Sequence, residues 1–296
     1  MAQQQKLTRD QKRELAREMA RAEREKRLKS QARNRILIRV GATVGVIALL
    51  AAVGGGIWLA TRPAGPGPVN MASDGVVFQG VDGEATVVET RALESGENPI
   101  PTDPSDFDDV VRIVTYLDFG CPYCAQFETT NAAQIEELVA DGVATLEVHP
   151  INLLKNAFLG DRYSARSANA SACVAAYEPS KFLDVSAAFF AQQPAESGNG
   201  FTNREIVDLV KGAGVTESRV EGCITGEEFK DWVEAATLRA LTGPLPNTKE
   251  ARVTGTPTIL VNGERYVGSL TNPAEFRAFV ESFRTDSGTG DDSAEE

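Results

Sequence analysis

One Cys-Pro-Tyr-Cys, Cys121 to Cys124, follows directly on an apolar β-type run, Val110 to Phe119, and leads into a stretch with helical periodicity. That junction constrains the fold more than any other feature. A strand that ends in a cysteine pair opening a helix puts the first sulfur at the helix N-terminus. There the unpaired backbone N–H groups and the positive end of the helix dipole favour thiolate over thiol. Thiolate is the form that attacks disulfides. Pro122 suits the first helical turn and stiffens the Cys-x-x-Cys turn, while Tyr123 is placed to tune the thiolate or to touch substrate.

The other two cysteines are Cys173 and Cys223. Four cysteines allow three pairings, and spacing alone does not choose among them. Cys121 and Cys124 are a natural local unit, which leaves Cys173 and Cys223 to bridge or to remain as buried thiols. An even count suits an oxidising compartment, where a bridge would pin the intervening segment. A zinc site needs two more ligands, and Cys173, Cys223 and the lone His149 are spaced too widely to supply them.

Charge is strongly polarised. Residues 1–39 hold 13 Lys/Arg against 5 Asp/Glu, and the rest of the chain holds 17 against 37. A body this acidic argues against nucleic acid as a partner. The basic arm is explained by its neighbour in the chain. Val40 to Ala60 is a run of 21 uncharged residues, long enough as a helix to cross about 30 Å of hydrocarbon. Arg35 and Arg39 flank one end and Trp58 lies near the other, so the positive-inside rule puts the N-terminus in the cytoplasm and the remainder outside. A cleaved signal peptide is the rival reading, but its n-region would be unusually long, the apolar run is longer than an h-region, and no clear A-x-A site follows. The expected organisation is a cytoplasmic basic arm (1–39), a transmembrane helix (40–60), a Pro/Gly linker (61–74), a globular domain (75–284) and an acidic tail (285–296).

Within the domain the pattern reads as short leading strands at Val76–Phe78 and Ala85–Val88, a stronger strand at Val111–Phe119, a helix over Cys124–Val139 and a strand at Ala144–Val148. A helical block of about 161–242 comes next, with segments at Ser164–Tyr177, Pro179–Gln192, Asn203–Ala213 and Glu227–Leu241. Gly255-Thr256-Pro257 then introduces a strand at Thr258–Val261, an Asn262-Gly263 turn and a partner strand at Arg265–Val267. A last helix covers Pro273–Phe283. The order is β-α-β, inserted helices, then β-β-α.

These residues resemble the thioredoxin-fold thiol:disulfide oxidoreductases of DsbA type in their membrane-anchored bacterial form, over roughly 75–284. The resemblance is carried by Leu117-Asp118-Phe119-Gly120-Cys121-Pro122-Tyr123-Cys124, by the helical insertion and by Gly255-Thr256-Pro257-Thr258-Ile259. It implies an α/β thioredoxin fold with an inserted helical subdomain, preceded here by a single transmembrane helix. It implies an exposed nucleophile at Cys121, a buried partner at Cys124 and a cis Thr256–Pro257 bond facing them. Two departures stand out. Thr115 occupies the position, six before the first cysteine, where many such proteins carry a buried acid, and Asp118 is the nearest acid instead. Pro-Tyr between the cysteines looks like the DsbG-type isomerases and the glutaredoxins, and Thr before the proline is also DsbG-like, so the motif leaves the direction of electron flow open.

The leading reading is therefore an enzyme, a protein thiol:disulfide oxidoreductase at the cell membrane. Its partners are thiols and disulfides of exported proteins and a membrane redox protein that recycles it, and it needs no cofactor. The competing reading is a binding module of the same fold that carries copper on Cys121 and Cys124, or acts as a chaperone, without net redox catalysis.

Overall fold

The computed structural model describes residues 65–107, 110–154, 162–194 and 199–285. The expected basic arm, transmembrane helix and most of the acidic tail lie outside these residues. Among the described residues no helix is long and apolar enough to cross a membrane.

Six strands form one sheet in the order β2-β1-β4-β3-β5-β6. They are β1 (Val76–Val81), β2 (Glu84–Val87), β3 (Val111–Leu117), β4 (Ala144–Pro150), β5 (Thr258–Val261) and β6 (Glu264–Arg265). β3 and β4 are parallel, as a strand–helix–strand crossover requires. That crossover is α1 (Pro122–Ala140). The other pairings are antiparallel. Asn262 and Gly263 sit at φ 47° and 83°, the left-handed pair that a two-residue hairpin turn demands, which is why Asn-Gly stands there.

Between β4 and β5 the chain makes the inserted helices: α2 (Tyr163–Tyr177), α3 (Phe182–Ala191), α4 (Asn203–Gly212), α5 (Ser218–Gly226) and α6 (Lys230–Thr242), with α7 (Pro273–Thr285) closing the fold. α5 is absent from the four helical segments expected from the sequence. Its residues, SRVEGCITG, include two glycines and β-branched side chains that weaken helix propensity. Burial of Val220, Cys223 and Ile224 holds it helical instead.

Strand alternation builds two cores. Ile113 and Leu117 belong to the large cluster shared with α1 and the inserted helices, whereas Tyr116 belongs to a small one with Ile151, Ala240, Leu245, Val253 and Leu260. The sheet therefore has the cysteine helix on one face and α6 with the 243–246 loop on the other. The second half of the expected linker is packed rather than free. Met71 is fully buried, and the Asn70 side chain donates to the Ala175 carbonyl at 3.0 Å.

Candidate active site

The turn before the cysteines is pinned from several sides. Asp118 accepts from the Cys121 N–H through its carbonyl at 2.9 Å and from the Gly120 N–H through Oδ1 at 2.7 Å. Its Oδ2 accepts from the Leu154 N–H at 2.8 Å, which ties the turn to the segment after β4. Phe119 is fully buried, and its ring packs on Phe189 and Phe190 of α3 with centroids 4.8 and 5.1 Å away. The Gln193 amide, just past α3, donates to the Phe119 carbonyl at 2.7 Å. Inserted helices and sheet thus hold the cysteine turn jointly.

Cys121 is the N-cap of α1 and Pro122 its first residue. No side-chain oxygen caps this end. The N–H groups of Tyr123 and Cys124 point at the Cys121 sulfur instead, so a thiolate takes the acceptor's place. The Cys121 thiol is drawn down to about 6, chiefly by the hydrogen bond from the Cys124 side chain and against the opposing effect of burial. Thr256 and the two N–H groups add to the lowering. Cys124 is fully buried, and burial pushes its thiol well up, with the neighbouring Cys121 sulfur acting in the same direction. One sulfur is prepared to ionise and the other to keep its proton.

Thr256–Pro257 is cis, and the Cys121 thiol donates to the Thr256 carbonyl at 3.3 Å. The resemblance implied an exposed nucleophile. Cys121 is instead only 4% exposed. The Thr256 carbonyl in contact with its sulfur accounts for part of that cover. Tyr123, by contrast, is 61% exposed.

Asp118 is fully buried, and burial raises its carboxyl to about 6 against the bonds from Leu154, Ser164 and Gly120. Charge on Cys121 raises it further, so the two groups sense one another. At the position where the acid was missing, the Thr115 hydroxyl is buried without a partner among the described residues. Glu128, one turn beyond Cys124 on α1, is a second carboxyl lifted by burial, to about 7. It went unnoticed in the sequence, although an acid four residues after Cys124 on a helix shares its side. Gln193 had no sequence signal, because only the packing of α3 brings it to the turn.

Cys173 and Cys223 are bonded, joining α2 to α5 across 50 residues. His149 is separated from the cysteines. It follows Val148 on β4, which lines the space under α1, and so points to the opposite face, where its ring stacks on Tyr116 at 4.3 Å. Among the described residues no three His, Cys, Asp or Glu side chains are grouped to hold a metal.

The family model for thioredoxin matches residues 108–282. Among solved structures, the chain is similar to DsbA of Mycobacterium tuberculosis in its oxidised and reduced forms. Each is 27% identical with a TM-score of 0.52, covering 71% and 72% of this chain and 92% and 96% of that one. DsbG of the same organism is 30% identical with a TM-score of 0.49, covering 58% of this chain and 77% of that one. BdbD of Bacillus subtilis is 19% identical with a TM-score of 0.51, covering 76% of this chain and all of that one, a likeness of fold. No curated protein sequence matches significantly.

Proposed function

The chain belongs to the thioredoxin family and is a protein disulfide oxidoreductase, and from that premise we propose that it is tethered to the cell membrane by residues 40–60 and exchanges disulfides with exported proteins through Cys121 and Cys124. The observation that carries this reading is the pair itself: a helix-capping thiol lowered to about 6 beside a buried thiol raised well above the ordinary range.

In the oxidising direction a substrate thiolate attacks the Cys121 sulfur of the Cys121–Cys124 disulfide. The sulfur–sulfur bond breaks, and Cys124 leaves with the electron pair and takes a proton. A second substrate thiolate attacks the substrate sulfur of the mixed disulfide and expels the Cys121 thiolate. The depressed thiol makes Cys121 a good leaving group. In the reducing direction the Cys121 thiolate attacks a substrate disulfide, and Cys124, after losing its proton, displaces it. Asp118 is the group we assign to that proton: buried beside the pair, it changes charge near pH 6. The backbone at Thr256 and Pro257 receives an extended substrate segment, a strand-addition contact. A membrane redox protein restores the working state of the pair.

The anchoring and the outward-facing catalytic domain rest on the uncharged run and the basic residues before it. The copper-carrier reading is not favoured, because His149 lies across the sheet from the cysteines.

The deciding measurement is the reduction potential of the Cys121–Cys124 pair against glutathione, with refolding of a reduced multi-cysteine protein in parallel. A value near about −120 mV assigns oxidation and one near about −270 mV assigns reduction. Cys121→Ser abolishes exchange, and Asp118→Asn slows release of the mixed disulfide and changes the pH profile of that step. Exchange that survives Cys121→Ser overturns the proposal.

A further inference from the structure

A cavity with mixed lining lies away from the cysteines, on the sheet face opposite α1. It holds about 290 Å³ and is walled by Tyr116 and His149 from the sheet, Ala236, Arg239 and Ala240 from α6, and a group of prolines that includes Pro99, Pro101, Pro244 and Pro246. Proline fixes φ, so these walls are preformed. Gly75 lets the chain pass close against His149 in this wall, since a Cβ there would meet the His149 ring at 2.8 Å.

Two hydrogen-bond donors are left over in this space. Tyr116 is 3% exposed, and its hydroxyl has no hydrogen-bond partner among the described residues. Burial and the carboxylates of Glu147 and Asp74 hold its phenol protonated, so it can donate. Arg239 spends Nε and Nη2 on Asp74, each at 2.7 Å, and its Nη1 has no partner among the described residues. The Asp74 pair also locks the guanidinium plane.

Charge selects the ligand class. Asp74 neutralises Arg239, and Glu147 lies 3.0 Å from the His149 Nε2 and accepts from the Ser73 hydroxyl at 2.6 Å. An anion would meet these two carboxylates, and a cation would find both already engaged, Asp74 by Arg239 and Glu147 by His149 and Ser73. A hydrocarbon would leave the buried Tyr116 hydroxyl unpaired in an apolar space, which costs free energy. We propose that this cavity is a binding site for an uncharged, ring-bearing small molecule with carbonyl acceptors, its ring on the proline and alanine wall and its oxygen on Tyr116 and Arg239.

The test uses the full-length protein and a photoreactive ring ketone, benzophenone, with cross-links mapped by mass spectrometry so that partition into detergent does not enter the readout. Cross-links should fall on peptides containing Tyr116, Ala236 to Ala240 or Leu245. The ketone 1-tetralone should compete at about tenfold lower concentration than tetralin, the same ring system without the oxygen. Tyr116→Phe keeps the ring stack on His149 and should erase most of that preference, while Ala240→Trp should fill the cavity and remove the cross-links. A folded protein with no cross-links at these peptides overturns the proposal, as does equal competition by tetralin or a preference untouched by Tyr116→Phe. The first of these outcomes means a cavity that holds only water.

Discussion

Cys121 and Cys124 are three residues apart and titrate in opposite directions, because one caps a helix and the other lies a turn inside it, away from water. The largest influence lowering Cys121 is the donor on Cys124. Cys124→Ser preserves an O–H donor, and thiolate absorbance should then place Cys121 near 6. Cys124→Ala removes the donor and should move the titration upward. Identical curves for the two variants would show that the helix end alone sets the value. The stability consequence has a definite sign. The Cys121 value lies below the ordinary 9.0, so its contribution to the reduced fold is complete above about pH 9 and is lost as pH falls through about 6. Urea unfolding should therefore show the reduced protein gaining on the oxidised one between pH 5 and pH 9. The thiolate argument was legible in the sequence because it needs only a helix start. The weight of Cys124 and Asp118 was not, since burial has no local signature.

Among the elements, α5 depends most on covalent support. It is nine residues long, glycine-containing, and joined to α2 through Cys173 and Cys223. Closing a 50-residue loop contributes about 4 kcal/mol in the chain-entropy view. The double variant Cys173→Ala with Cys223→Ala should lose stability of that order in chemical unfolding while keeping its exchange rate below the transition. A collapse of exchange in a protein that still melts cooperatively would assign this bridge to the chemistry instead. α3 has a different task. Phe189, Phe190 and the Gln193 amide clamp Phe119, two residues before Cys121. The inserted helices are therefore part of what holds the cysteine turn, beyond their own packing.

At the scale of the whole chain, one sheet separates two kinds of chemistry. The α1 face carries the cysteines, and the other carries the Tyr116 cavity. Residues 40–60 lie outside the described part, so their role is a matter for cells. Full-length protein should sediment with membranes, and a chain lacking residues 1–60 should be soluble with unchanged exchange. Protease added to intact wall-stripped cells should cut the domain. Protection there, followed by cleavage after lysis, would place it in the cytoplasm and undermine exported proteins as substrates.

Sequence alone determined what depends on neighbours along the chain. The Cys-x-x-Cys at a strand-to-helix junction, the Asn262-Gly263 hairpin and the β-α-β, helices, β-β-α order all arise from propensity, turn chemistry and periodicity. Tertiary structure alone decided what depends on burial and on contacts between distant segments. It folded α5 against its own propensity, packed Asn70 and Met71 into the domain, covered the Cys121 sulfur with the Thr256 carbonyl 135 residues away, and turned the Tyr116 ring into a cavity on the far face of the sheet. The physical reason is the same in each case. Desolvation and long-range hydrogen bonding act through space, and a linear pattern records only which residues are available to take part in them.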